Sequence, residues 1–232
     1  MRRVFAEINR QNEILKSDEV FLKVRDISSV EAVALLKVWG PLFVHMTMTF
    51  RDVNLMYNAY EHPQNDFERA INGHAYVDAT HWEMLVTDLE SLGAADQVKK
   101  YKDAMSIIWS DQGKPIRDYM YWVMHRAQRC GSSHALKITA MESCESTVKT
   151  FLTQTRHISM LYKRETGVTL NYFGESHIES EVVNAVDLSV FDEIELDQKT
   201  LATALWIVNS HFQDFKVFVE CLFDCLHQVR NS

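Results

Sequence analysis

The sequence predicts an all-α fold, a single-domain bundle of seven or eight helices, from its few turn-forming residues, its hydrophobic periodicity and its length. Only 3 prolines and 7 glycines occur among 232 residues, so tight turns and long irregular loops must be few. Apolar residues recur at helical spacing, and the alternation typical of β-strands is almost absent. A chain of this length with 47% hydrophobic residues can bury one substantial core. We therefore expect one helical domain over residues 1–232.

Capping and helix-breaking residues divide the N-terminal half of the chain. The expected helices span residues 2–15, 28–57, 66–92 and 94–110. Ser28 and Glu31 form the pattern of a capping box at the start of the second helix, and the pair Gly40-Pro41 predicts a kink within it. Gly93 is a typical C-terminal stop for the third helix.

The C-terminal half is divided in the same way. Its expected helices span residues 115–130, 133–162, 172–188 and 198–229. Pro115 is typical of a first helical turn, and the run from Gly131 to Ser133 separates the first two of these helices. No linker is long enough to separate two domains.

Charge and composition exclude several classes of protein. The net charge of −8 argues against a nucleic-acid-binding surface. No run of eighteen apolar residues occurs, and the opening MRRVFAEINRQNEI lacks the apolar core of a signal peptide. The four cysteines show neither zinc-site nor disulfide spacing. We expect a cytoplasmic protein that binds neither membrane nor nucleic acid.

The stretch NGHAYVDATHWEML carries three metal-type ligands at helical spacing. His74, Asp78 and His81 follow each other in steps of four and three residues, which places them on one face of a continuous helix. On the order of 0.06 such triplets are expected by chance in a chain of this composition. The pattern therefore indicates a site, although a buried hydrogen-bond network of the same residues is the alternative.

A second stretch, GESHIESEVVN, repeats this spacing 103 residues later with His177, Glu181 and Asn184. Imidazole and carboxylate ligands on two facing helices are typical of iron, manganese or zinc sites inside helical bundles. A further carboxylate is expected from a third helix, where Glu142 and Glu145 lie one turn apart in TAMESCES. Of these two we expect Glu142 to be the ligand.

The stretch HAYVDATHWEMLVTDLESLG resembles the motif helix of the haem-oxygenase-like iron-containing redox enzymes. That superfamily includes the haem-oxygenase-like diiron oxidases and their relatives, the TenA-type thiaminases and the pyrroloquinoline-quinone synthesis protein. The ending DL-x-x-LG is provided by Asp88, Leu89, Leu92 and Gly93. The stretch from His177 to Glu181 resembles the second metal helix, and Glu142 resembles the isolated glutamate ligand of the diiron branch.

The resemblance implies a haem-oxygenase-like bundle that holds one or two iron ions and activates O₂ on a small organic substrate. The implied ligands are His74, Asp78, His81, Glu142, His177 and Glu181. Two positions depart from the family pattern, because His74 stands where many diiron members have glutamate and Asn184 stands where histidine is usual. Asn184 is therefore expected to be a second-sphere residue or a degenerate ligand.

Other functions stay open at this point. A non-catalytic member of the fold would bind a small molecule or a protein partner and would catalyse no reaction. A haem oxygenase is less favoured, and no haem is expected, because no histidine precedes His45. A thiaminase would need a nucleophilic cysteine, but Cys144 lies between two glutamates that would raise its pKa. We expect His45, Tyr76 and Tyr172 to line a pocket, and a homodimer is plausible.

Overall fold

The computed structural model describes residues 1–94, 101–183 and 186–231, and these residues form an all-α bundle without a β-strand. The nine α-helical segments in these ranges are α1 Arg2–Lys16, α2 Ser29–Val53, α3 Asp66–Asp78, α4 Trp82–Ser91, α5 Tyr101–Ile108, α6 Lys114–Cys130, α7 His134–Thr166, α8 Glu175–Val183 and α9 Gln198–Asn231. Short 3₁₀ turns cover Glu19–Val24 and Leu188–Phe191, and a π-helical turn covers Asn54–Asn58. The predicted fold class is confirmed. The expected helix 94–110 is described only from residue 101, and Asn184 lies outside the described residues.

Side chains cap two helix starts, and the first of these caps is the predicted capping box. The Ser28 hydroxyl accepts a hydrogen bond from the Glu31 backbone N–H, while the Glu31 carboxylate accepts one from the Ser28 N–H at 2.7 Å. Asn65 caps α3 by accepting from the Glu68 N–H at 3.0 Å. Both caps satisfy backbone donors that the first helical turn leaves without partners.

The predicted helix 66–92 is interrupted between α3 and α4, which corrects the prediction of one continuous helix. The backbone N–H groups of Thr80 and His81 donate to the carbonyls three residues earlier, and the Thr80 hydroxyl donates to the Val77 carbonyl at 2.7 Å. These bonds replace the regular α-helical pattern with a tighter turn. His81 therefore leaves the face that His74 and Asp78 share.

Three long helices, α2, α7 and α9, pack against one another and form the centre of the bundle. The N-terminal α1 covers α7 and α9, and α6 covers α2 and α9. Helix α4 packs on α2 at Gly40, where a Cβ atom would lie 2.9 Å from the Leu92 side chain. Helices α3 and α8 both contact α7. The two motif-bearing helices thus meet at the same central helix.

Aromatic side chains fill the space between the central helices. Trp39 of α2 stacks on Phe223 of α9 with ring centroids 5.7 Å apart and lies equally close to Phe151 of α7. The Trp39 indole N–H donates to the Leu222 carbonyl at 3.1 Å, so its polar atom has a partner in the apolar core. Phe43 continues this cluster towards Phe173, which precedes α8.

Within the described ranges, the segment Ser29–Asn58 is the one helix that is long and apolar enough to cross a membrane. The same test is passed by buried core helices of soluble proteins, and slightly more than half of its most apolar window is buried in the bundle. Its packing against α4, α6, α7 and α9 is that of a core helix.

Asp88 of α4 fixes the segment that leads into α8. Its carboxylate is fully buried and accepts hydrogen bonds from the backbone N–H groups of Asn171 at 2.5 Å and Phe173 at 3.0 Å. This segment carries Tyr172 and precedes the second metal-type motif. Asp88 therefore connects the first motif region to the second.

We expect Asp88→Ala to destabilise the fold by about 3 kcal/mol, because it leaves two backbone N–H groups without their charged acceptor. Chemical denaturation followed by circular dichroism measures this change. Asp26→Ala removes an exposed carboxylate and should change the free energy of unfolding by no more than about 0.5 kcal/mol. Equal stability of the two variants would contradict the anchoring role of Asp88.

Candidate metal centre

The first cluster of metal-type ligands joins α3 to α7. His74 Nε2 lies 3.3 Å from Asp78 Oδ2 and 3.9 Å from Glu145 Oε2. His74 and Asp78 lie one helical turn apart on α3, and Glu145 comes from the central helix. One donor atom from each residue lies within 4.8 Å of the other two, so the three residues could hold one metal ion.

The second cluster joins the turn before α4 to α8. Glu181 Oε1 lies 2.9 Å from His177 Nε2 and 3.4 Å from His81 Nδ1. The two imidazole rings are 4.7 Å apart and nearly perpendicular. All three side chains are buried, and one donor atom from each lies within 4.8 Å of the other two. The first sequence motif thus divides between two clusters.

The carboxyl groups of Glu145 and Glu181 are close enough to share a hydrogen bond, and this pair brings the two clusters together. Two carboxylates can share such a bond only when one of them carries a proton. Burial, followed by the charges of Glu181 and Asp78, raises the pKa of Glu145, so Glu145 is the protonated partner. Burial raises the pKa of Glu181 as well, but the His177 hydrogen bond and the charges of His177 and His81 outweigh it and lower that pKa overall.

The distances within each cluster match those between ligands of one cation. Metal–ligand bonds of about 2.1 Å separate donor atoms by about 3.0 Å at right angles and by about 3.4 Å at the tetrahedral angle. The observed separations of 2.9, 3.3 and 3.4 Å agree with these values. Glu145, at 3.9 Å from His74, corresponds to a wider angle between two ligands.

The protonation of His177 is set by the segment that Asp88 anchors. His177 Nδ1 lies 2.9 Å from the Tyr172 carbonyl oxygen, which can only accept, so Nδ1 carries the proton. Nε2 lies 2.9 Å from Glu181 Oε1, where it can donate to the carboxylate or, after losing that proton, offer its lone pair to a cation. This support of a ligand imidazole by a backbone carbonyl is typical of metal sites. His81 Nε2 is buried and has no hydrogen-bond partner among the described residues. His81 therefore places Nδ1 towards Glu181 and leaves Nε2 without a hydrogen bond.

Burial controls the charge of the remaining groups. Burial, reinforced by the charges of Glu181 and Glu142, raises the pKa of Asp78 well above its ordinary range. The nearby Asn54 amide opposes this shift, and Asn54 Oδ1 accepts a 2.8 Å hydrogen bond from the Asn58 amide. Burial, then the charges of His177 and His74, lower the pKa of His81 to about 4. A neutral His81 retains the lone pair that metal binding needs.

The structure places Glu142 beside the two clusters and in neither of them. It is 9% exposed, and Glu145, one turn further along α7, occupies the position next to His74 and Asp78. Both carboxylates lie on α7, and their spacing of three residues cannot tell which one reaches α3. The assignment of Glu142 as a ligand stays a prediction.

Two cavities adjoin the clusters. The first, which we call the inner cavity, has a volume of about 30 Å³ and lies between the ligands and apolar side chains such as Phe50, Met120 and Val148. It has room for about two water molecules or a dioxygen molecule. The second, the outer cavity, has a volume of about 430 Å³ and reaches Glu142, Glu145 and Glu181 from the side of α1. Its size is within the range of small-molecule sites.

The predicted pocket residues have different environments. Tyr172 is buried and lines the inner cavity. Tyr76 is 51% exposed, and neither Tyr76 nor His45 lines the inner or the outer cavity. Cys144 is buried, and burial raises the pKa of its thiol to about 12, which does not suit a nucleophile at neutral pH.

Three supporting features have no signal in the sequence. Asn54 comes from the π-helical turn after α2, and the Tyr172 carbonyl is a backbone group. His211 of α9 is buried, with Nε2 3.0 Å from the Thr147 hydroxyl, but no motif surrounds it. The role of each follows from long-range packing.

The sequence matches no protein-family model, and no curated protein matches it. The geometry of the described residues therefore carries the functional assignment, together with the motif resemblance.

Burial of Glu142 predicts a specific dependence of stability on pH in the metal-free protein. Burial raises the pKa of this carboxyl to about 7, although the charge of Lys149 lowers it slightly. Between about pH 4.5 and 7 the folded state therefore holds a proton that the unfolded state has lost, so the Glu142 contribution to stability falls as pH rises. Glu142→Gln stays neutral at every pH. Its free energy of unfolding, relative to that of the parent chain, should therefore rise by about 3 kcal/mol from pH 4 to pH 8.5.

Urea denaturation in the presence of a chelator, at these two pH values, measures the gain. The exposed Glu165 provides the matched control, and Glu165→Gln should follow the parent chain at both pH values. If Glu142→Gln and the parent differed in their free energy of unfolding by the same amount at both pH values, the burial of an ionisable carboxyl at this position would be contradicted.

Proposed function

We propose that the chain is a metal-dependent oxidoreductase that binds two ions, most suitably iron, and uses O₂ to oxidise a small organic substrate. The observation that carries the proposal is the pair of buried clusters, His74–Asp78–Glu145 and His81–His177–Glu181, joined through Glu145 and Glu181. Mixed imidazole and carboxylate ligands with open positions suit redox-active iron. The resemblance to iron-containing redox enzymes points the same way.

Each residue has a defined part in the proposed centre. His74, Asp78 and Glu145 would hold one ion, and His81, His177 and Glu181 the other. If the Glu145–Glu181 pair lost its shared proton, both carboxylates would be anionic and could act as metal ligands. Bound iron would supply the electrons for the reduction of O₂.

The protein itself would provide separate access for the two reactants. The inner cavity has the size of dioxygen and a mainly apolar wall, while the outer cavity has the size of an organic molecule. Both reach Glu145 and Glu181, so the two reactants would approach the centre from different sides. Tyr172, with its ring 4.7 Å from the His177 ring, would keep water from one side of the second cluster.

Elemental analysis after anaerobic loading with Fe(II) tests the metal centre. We expect about two ions per chain in the parent protein and about one in His81→Ala, because each cluster supplies its own three ligands. Helicity should be unchanged in the variant. His62→Ala, which alters a surface imidazole that is 81% exposed, should retain both ions. Metal content in His81→Ala equal to that of the parent would overturn the ligand assignment.

Exposure of the loaded protein to O₂ tests the redox chemistry. An oxygen-dependent change in absorbance is expected with iron and not with zinc, which has no accessible second oxidation state. A chain that binds no metal would instead hold its carboxylates through shared protons such as the one between Glu145 and Glu181. That result would favour the alternative function, a non-catalytic protein that binds a small molecule.

A further inference from the structure

The outer cavity contains polar groups that the proposed metal centre does not use. It is bounded by α1, α7, α8 and the segment around residues 186–188, and its inner end reaches the metal clusters at Glu145 and Glu181. Two further charged residues of α7, Glu142 and Lys149, line the same cavity. Their environments define the ligand that the cavity can bind.

Glu142 is a buried carboxyl that lacks a partner. Nine tenths of the residue is buried, and it makes no hydrogen bond or ion pair with any side chain or backbone group in the described ranges. A ligand that donates to this carboxyl from the cavity would supply a hydrogen bond that the described residues do not provide. A protonated amine is the donor that best matches a carboxylate, because it adds charge attraction to the hydrogen bond.

Lys149 is an exposed cationic side chain on the edge of the same cavity. The structure gives it no ion pair among the described residues, whereas Lys16, on the same cavity, is 2.7 Å from Glu13. Asn12 lies nearby, and its side-chain oxygen accepts from the Thr150 hydroxyl at 2.6 Å, which leaves the Asn12 amide N–H groups as further donors. These donors favour a carboxylate on the ligand.

Helical geometry places the two charges on one line. Glu142 and Lys149 are seven residues apart on α7, so they share a face and their Cα atoms are separated by about 10 Å along the axis. The charge of Lys149 acts on Glu142, which shows that the side chains lie within electrostatic range of each other. The apolar side chains of Val186 and Leu188 line the same cavity and can cover a hydrocarbon chain.

We propose that the outer cavity binds a linear zwitterion, with its ammonium group on Glu142 and its carboxylate on Lys149. The carbon atoms next to the amine then lie beside Glu145 and Glu181, at the end of the cavity that adjoins the metal clusters. That such a molecule is the substrate rests on the proposed function. Its binding depends only on Glu142 and Lys149, which lie outside both clusters.

Isothermal titration calorimetry with 6-aminohexanoate, hexanoate and hexylamine as probes tests the binding, first on the protein as purified and then after loading with zinc. We expect 6-aminohexanoate to bind about tenfold or more tightly than either singly charged probe, because only the zwitterion contacts both residues. The shorter and longer homologues, 4-aminobutyrate and 8-aminooctanoate, should differ from each other in affinity, because the distance between Glu142 and Lys149 is fixed.

Two variants separate the contacts. Glu142→Gln should weaken the binding of 6-aminohexanoate and hexylamine about tenfold and leave that of hexanoate unchanged. Lys149→Gln should weaken the binding of 6-aminohexanoate and hexanoate about tenfold and leave that of hexylamine unchanged. Glu165→Gln and Lys163→Gln, exposed positions near the end of the same helix, are the matched controls and should bind all probes as the parent does. Circular dichroism establishes that each variant is folded.

Equal affinity for the three probes, or unchanged binding of 6-aminohexanoate by folded Glu142→Gln, would overturn the proposal. A loss of one metal ion in Glu142→Gln would also overturn it, because Glu142 would then be a metal ligand. The proposed function is judged separately by the metal content and by the oxygen response of the parent chain. Failure of the zwitterion to bind, with two ions per chain still present, would therefore reject the ligand assignment alone.

Discussion

The constraint on which this structure depends is the burial of acidic and imidazole side chains in the interior of a helical bundle. Asp78, Glu142 and Glu181 are buried together with three histidines, and the partly buried Glu145 lies between them, so water solvates their charge poorly. A buried carboxylate is tolerated only when a proton, a cation or several hydrogen-bond donors compensate it. The raised pKa of Glu145 favours a proton shared with Glu181, which would provide part of that compensation, and metal ions would provide the rest.

The central helix α7 organises both the proposed metal centre and the proposed ligand site. Glu145 faces the first cluster, and Glu142 and Lys149 line the outer cavity. Because one rigid helix carries these groups, the distance between the ligand contacts and the metal clusters is fixed by helical geometry. Helix α7 is held in turn by α2 and α9 through the aromatic core around Trp39 and Phe151.

The interruption between α3 and α4 shows how a small backbone change decides the arrangement of a site. On a continuous helix, His74, Asp78 and His81 would have shared one stripe. The tight turn at Thr80 moves His81 towards His177 and leaves Asp78 with His74, so one motif contributes to two clusters. The anchor at Asp88 fixes the segment before α8 and brings the second motif into register with the first.

The sequence by itself determined the all-α class, most helix boundaries and the residue types of the site. It could do so because helix periodicity, capping residues such as Ser28 and Asn65, and His–acid spacing are local properties. Only the tertiary structure decided which residues meet. The placement of Glu145 in a cluster, the separate position of Glu142 and the exposure of Tyr76 depend on how α3, α7 and α8 are rotated in the bundle. Side chains distant in the chain set that rotation, and local sequence does not record it.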